Sequence, residues 1–246
     1  MSNEPTNNDS SANLAALARL QDQLGYTFDD LALLQLALTH KSFSKHNNER
    51  LEFLGDAVLG YLVAELLYRR NEQVREDGLS LMRASVVRGS VLAQVARGLS
   101  LGPNLRLGSG ERKSGGRDRD SILADAMEAI LGAMHEDGGI DPCRKVVADL
   151  FAGMIAQLDP DELKDAKTRL QEHLQGRRLG LPDYVVEEVG GAEHKRQYTV
   201  SCRVPALGLR SEAISTSRRA AEQAAADEML KLLDGNSAQE RTPGDG

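Results

Sequence analysis

Residues 48–60 read NERLEFLGDAVLG. Three carboxylates, Glu49, Glu52 and Asp56, stand in a run that otherwise has the spacing of a core-facing helix, and residues 49–70 as a whole read as one long amphipathic helix. At about 100° per residue the three acids fall near 0°, −60° and −20°, on one narrow stripe. Leu51, Leu54, Val58 and Leu62 fall between about 140° and 220°, which predicts the acids on the face away from the main apolar stripe. No lysine occurs between 51 and 68 to relieve the charge. Two carboxylates roughly 5 Å apart repel by about 3 kcal/mol at an effective dielectric near 20, so a cation is expected nearby.

A second acidic pair follows in ILADAMEAI, where Asp125 and Glu128 share a helix face at i, i+3. Packed side by side, the two helices would bring four or five carboxylates together. Hard oxygen donors without His or Cys suit Mg²⁺ or Mn²⁺. A di-iron bundle would need Glu-x-x-His pairs, and here the pairs are Glu49-x-x-Glu52 and Asp125-x-x-Glu128. Spacing alone leaves two readings open, a hard-metal site and a solvated acidic face.

Outward from this stretch the apolar period stays helical from about 14 to 158. Asp29 and Asp30 stand where an N-cap and first-turn acid belong. Residues 79–98 read as one helix with Ser80 as its cap, 101–120 as Gly- and Pro-broken loops, and Pro142 suits a first helical turn. Residues 159–164 read as a linker. The order then changes to α-β-β-β-α over 165–234, with strands in DYVVEEV, KRQYTVSCRV and LRSEAIS and an Ala-rich final helix. Residues 235–246 have no apolar face and are expected to be a disordered tail. The fold class is therefore an all-α domain followed by a small α+β domain.

The 246 residues are 41% hydrophobic and 27% charged, with a net charge of −7. No apolar run is long enough for a membrane span, and the polar N-terminus lacks a secretory pattern. Cys143 and Cys202 stand alone, which favours a reducing cytoplasm and argues against both a disulfide framework and a zinc site. The charge is segregated: residues 163–233 hold 12 Lys/Arg and 10 Asp/Glu, a net +2 against −9 elsewhere. Arg218 and Arg219 open the last helix beside its free N–H groups, an arrangement suited to phosphate. His194 lies in a turn between strands, and Gln171 and Glu172 offer donors and acceptors to sugar hydroxyls. With 4% aromatics and no Trp, base stacking is poorly served, whereas shape-reading of a duplex is not.

These segments resemble a known family. NERLEFLGDAVL is similar to the signature motif of ribonuclease III, preceded by ALTHKSF and followed by RLGSGERKSGG and SILADAMEAILGA of the same catalytic domain. TRLQEHLQ, GAEHKRQYTV and STSRRAAEQAAA resemble a double-stranded-RNA-binding domain. The resemblance implies a catalytic domain at 14–158, a binding domain at 165–234, and metal ligands at Glu52, Asp56, Asp125 and Glu128, with Asp56 and Glu128 catalytic. Glu49 matches a position tied to RNA contact or dimer architecture, and Glu76 or Asp77 a further family acid. His40 and Lys41 match a segment read as structural. RNA contacts carry over to Thr168, Gln171, Glu172, His194, Arg218 and Arg219, whereas Glu222 stands where many such domains have a third Lys.

The implied activity is Mg²⁺-dependent hydrolysis of double-stranded RNA, with Mn²⁺ as a substitute, leaving 5′-phosphate and 3′-hydroxyl ends with short 3′ overhangs. Implied substrates are ribosomal RNA precursors and other structured transcripts, including messenger and transfer RNA. A homodimer is implied, with Phe53 and Leu54 as interface candidates, and no organic cofactor or membrane is involved. The competing class is a non-catalytic duplex-RNA-binding protein on the same fold, which loss of any of the four ligands would favour; all four are present.

Overall fold

The computed structural model describes residues 7–192 and 195–239, and divides the chain into two compact units, Met1–Pro160 and Asp161–Gly246. Residues 193 and 194, and with them His194, lie outside the described residues, as do 240–246 of the expected tail.

Unit 1 opens with α1 (Asn7–Leu24) and α2 (Leu31–Ala37). Asp30 is the N-cap of α2, accepting from the Ala32 N–H at 2.9 Å. The Asp137 carboxylate accepts from the backbone N–H groups of Asp29 and Asp30 and from the Tyr26 hydroxyl at 2.6 Å, tying this corner to the end of a later helix. Helix α3 spans Glu49–Arg70 as the apolar period predicts, with acids in its first turn and Arg69 and Arg70 in its last, complementing the helix dipole.

Helices α4 (Glu76–Val86) and α5 (Gly89–Gly98) replace the single helix expected over 79–98. The break falls at Val87–Arg88, and α5 restarts at Gly89. Ser80 does not cap; its hydroxyl donates to Glu76 one turn earlier. The stretch read as loops also carries short helices, α6 (Leu101–Asn104) and α7 (Ser109–Lys113), and a 3₁₀ turn at Gly116–Asp118. The segment after α2 pairs with the one after α6, the His40 N–H donating to the Arg106 carbonyl and the Arg106 N–H to that of Leu38. Helices α8 (Asp120–Gly138) and α9 (Ile140–Ile155) complete the unit, with Pro142 in the first turn of α9.

Helix α8 is the hub, buried from Ile122 to Met134 apart from its acids, and packed on α2, α3, α5 and α9. Where α8 meets α3 the backbones touch: a Cβ on Gly55 would overlap the Glu128 carbonyl, and one on Gly132 would overlap that of Leu51. The buried face of α3 is therefore centred on Gly55 and comprises Leu51, Val58, Leu59, Leu62, Val63 and Leu67. In helical projection this arc runs from about 180° to 360°, so Glu52 lies within it rather than opposite to it as the Leu/Val spacing had indicated.

A one-turn helix α10 (Pro160–Leu163) begins at the last residue of unit 1, occupies the expected linker and leads to α11 (Ala166–Gly176) of unit 2. Strands β1 (Asp183–Gly190), β2 (Gln197–Val204) and β3 (Leu209–Ser215) form an antiparallel sheet in the order β1-β2-β3, bulged between Val186 and Glu188. Helix α12 runs from Arg218 to Gln239, five residues past the expected start of the tail. Leu170 and Leu174 of α11, Cys202 and Val204 of β2, and Ala225, Ala226, Met229 and Leu233 of α12 form one core. The alanines let α12 approach the sheet closely enough for the Ser211 hydroxyl to donate to the Ala225 carbonyl at 2.6 Å.

Candidate functional site

The first turns of α3 are fixed before any charged side chain is placed. The Asn48 side chain does not cap its helix; buried, it donates to the Ala37 carbonyl at 3.1 Å, while its backbone N–H donates to Thr39. The start of α3 is thereby locked to the end of α2, and the Gly55–Gly132 contact sets its distance from α8.

At this crossing Glu52, Asp125 and Glu128 each offer a carboxylate oxygen within 4.8 Å of the others. All three are half-buried, and burial pushes each carboxyl above its ordinary range. Glu128 moves furthest, up to about 7, through burial first and then the charges of Asp56, Asp125 and Glu52. Half-buried carboxylates that repel one another without hydrogen-bonding cations of their own have the donor chemistry of a hard-cation site.

The other expected acids take different places. Asp56 is exposed and lies outside the close triad, although its charge acts on Glu128. Glu49 is ion-paired to Lys41 at 3.2 Å. Glu76, the first residue of α4, accepts from Ser80, and Asp77 lies 3.9 Å from Arg75; neither belongs to the triad. Lys41, read from sequence as structural, is the larger positive influence on Asp125, followed by His40, and also favours the ionised form of Glu52. Nothing local signals this, because Lys41 reaches the acids only through the fold.

A glutamate titrates near 4.5 in an unfolded chain and Glu128 near 7 in the metal-free fold, so the folded state holds the extra proton between these values. That stability is present at acid pH and is lost as pH rises through about 7. The melting temperature of the metal-free protein is expected to fall over this window through the Glu128 contribution. Glu128→Gln should flatten that part of the profile, and Mg²⁺ should raise melting more at about pH 8 than at about pH 5.5. A wild-type profile unchanged by Glu128→Gln would contradict the assignment.

Leu33, Leu36, Leu51, Phe53 and Leu54 line an open groove of about 710 Å³ together with the polar side chains of His46, Asn47, Glu49, Arg50 and Glu136. Phe53 is 81% exposed, unusual for a phenylalanine, while Leu54 is half-buried.

In unit 2, Asp165 caps α11 by accepting from the Thr168 N–H. Thr168, Gln171 and Glu172 are exposed on that helix, Glu172 paired to Lys164 at 2.7 Å. Arg218 and Arg219 are exposed at the start of α12, where the Ser217 hydroxyl accepts from the Ala220 N–H. Arg218 is held by Glu222 at 2.8 Å.

The family model for ribonuclease-III-like domains matches residues 30–154, and that for the double-stranded RNA binding motif matches residues 166–233. Ribonuclease 3 of Hahella chejuensis is 51% identical over 220 residues, covering 89% of this chain and 97% of the relative. This chain belongs to the ribonuclease III family. Ribonuclease 3 of Alkalilimnicola ehrlichii is 50% identical over 216 residues, covering 87% of this chain and 95% of the relative. A solved nuclease domain of ribonuclease III from Campylobacter jejuni is 42% identical with a TM-score of 0.55, covering 58% of this chain and 97% of that domain. A second structure of the same domain, described as flexible in a region involved in dimer formation, has 43% identity and a TM-score of 0.54, covering 55% of this chain and 95% of that one.

Family membership makes the chain an endoribonuclease specific for double-stranded RNA, a hydrolase with duplex RNA as its partner. The family is one of metal-dependent nucleases, and the triad is a carboxylate cluster able to bind a metal. Among the described residues no helix is long and apolar enough to cross a membrane.

Proposed function

We propose that Glu52, Asp125 and Glu128, with Asp56 at the rim, hold Mg²⁺ and that the chain cuts both strands of duplex RNA to 5′-phosphate and 3′-hydroxyl ends with short 3′ overhangs. The observation that carries this is the convergence of three half-buried carboxylates from α3 and α8 within 4.8 Å. Bound by these carboxylates, Mg²⁺ would lower the pKa of a water and offset the charge of the leaving oxygen. The protein's part is to hold three acids around one point at a fixed helix crossing, with a fourth outside the close triad. Exposed Asp56, whose charge acts on Glu128, would orient a water at the rim, and Glu128, half-protonated at about pH 7 on its own, would ionise fully when a cation offsets its neighbours. Lys41 and Glu49 border the cage, where an incoming phosphate would first meet protein charge.

Incubating a perfect RNA duplex with the protein, with and without Mg²⁺, and reading strand lengths and end chemistry tests this reading. Mg²⁺-dependent products with 5′-phosphates and 3′ overhangs are expected, and equal cleavage in chelator would overturn it. Ribosomal RNA precursors and other structured transcripts are the substrates proposed, and Mn²⁺ the substitute metal.

One carboxylate cage serves one strand, so cutting two requires two copies. Phe53, 81% exposed on the wall of a groove that mixes Leu33, Leu36, Leu51 and Leu54 with polar side chains, offers an apolar anchor for a self-complementary contact. Phe53→Ala is expected to weaken the proposed homodimer by more than about tenfold, the loss of an aromatic anchor costing about 2 kcal/mol. Sedimentation across a concentration series checks this; an unchanged monomer–dimer balance would place the interface elsewhere. In unit 2, Thr168, Gln171 and Glu172 on α11, Arg218 and Arg219 on α12, and His194 are the proposed contacts to the duplex, reading its shape and phosphates. Their affinity should fall as salt rises.

A further inference from the structure

Glu222 stands one turn after Arg218 on α12, an acid inside a surface read as a phosphate contact. Its surroundings are specific. Glu222 is 12% exposed, and its two oxygens each take a cation from a different helix: Lys167 Nζ of α11 at 2.7 Å and Arg218 Nε of α12 at 2.8 Å. Lys167 is held from two further sides. Its Nζ lies 4.5 Å from the centroid of the Tyr184 ring, and its backbone N–H donates to Gln223 Oε1 at 3.1 Å. Arg218 keeps 66% of its side chain exposed and Lys167 35%, so the carboxylate lies beneath two cations that reach solvent.

As a neutraliser, Glu222 would simply subtract charge from this surface. The geometry argues for a different role. Free arginine and lysine side chains each carry about 2 kcal/mol of rotamer entropy, which a phosphate contact must otherwise remove. A buried carboxylate shared between them removes that freedom in advance and leaves a net positive pair facing outward. We propose that Glu222 is a positioning residue of the RNA-binding surface, holding Arg218 of α12 and Lys167 of α11 side by side so that the two present one paired cationic contact to phosphate. This rests on the reading of the start of α12 as a duplex contact. The depressed pKa of Glu222, set first by Lys167 and then by Arg218, keeps the carboxylate ionised at neutral pH.

The test is binding of the full-length chain to a blunt RNA duplex in chelator, where no cleavage is expected, across a salt series. Glu222→Gln is expected to weaken binding about 5–10-fold, roughly 1 kcal/mol, although it makes the domain more positive by one charge. Lys167→Met should weaken binding and make the log–log salt slope shallower by about 0.7–0.9, one phosphate contact. The double variant should be little worse than the weaker-binding single, since both act on one cluster. Equal or tighter binding by Glu222→Gln would overturn the proposal and make Glu222 a neutraliser. Should Glu222→Gln unfold the domain, Lys167→Met decides: wild-type affinity and slope there would overturn it. Arg218→Met separates the two levels, because wild-type binding by that variant would sink the underlying assignment of α12, whichever way Glu222→Gln falls.

Discussion

Glu128→Gln is expected to lower the cleavage rate of duplex RNA in Mg²⁺ by about a thousandfold or more while leaving affinity for the duplex within about threefold. A thousandfold is about 4 kcal/mol of barrier, the scale of a metal-assisted hydrolysis that has lost its cation. The substitution keeps the shape of the side chain and removes one of three converging charges. It also removes the group whose protonation near pH 7 competes with metal, so the variant should melt no lower than the metal-free wild type. Binding is spared because the proposed duplex contacts belong to unit 2, not to the carboxylate cage. Single-turnover cleavage together with a binding isotherm checks both halves. Cleavage retained within tenfold would remove Glu128 from the reaction, and equal loss of binding and cleavage would point to a disturbed fold.

The second large effect is expected from a residue with no side chain. Gly132→Ala places a methyl group against the Leu51 carbonyl, and Gly55→Ala against that of Glu128. These are backbone atoms in helix interiors and cannot turn aside, so α3 and α8 must separate. Overpacking of this kind costs about 1–3 kcal/mol, with more expected where backbone meets backbone. Because the displaced turns carry Glu52 and Glu128, cleavage should fall by more than the folded fraction does. Denaturant unfolding and cleavage at a temperature where the variant is folded separate the two effects. Gly60→Ala is the control, since a Cβ there meets nothing within 4 Å. Normal activity in folded Gly132→Ala would show that the cage tolerates a wider crossing.

These two predictions mark how far the sequence could be read. The bounds of α3 were legible, because Leu51 to Leu67 keep the helical period without interruption. The acids themselves stood out by spacing, but spacing left a metal site and a solvated face both open, and it did not separate Glu52, which joins Asp125 and Glu128, from Glu49, which pairs with Lys41. The face of α3 was not, because its centre is a glycine: Gly55 adds nothing to an apolar period, and its partner Gly132 lies on a helix far along the chain. The break at Val87–Arg88 was hidden for a related reason. No proline interrupts the apolar spacing there, and only Gly89 signals that one helix ends and another begins. Lys41 and Glu222 act through partners 8 and 55 residues away, so their roles follow from tertiary structure alone.

The central claim, a divalent cation held between α3 and α8, is tested most directly by anomalous diffraction from crystals of the protein soaked in Mn²⁺. A peak within about 2.5 Å of carboxylate oxygens from Glu52, Asp125 and Glu128 is the expected result, lost in Glu128→Gln. A peak elsewhere, or none between these three carboxylates at a Mn²⁺ concentration that supports cleavage, would contradict the account.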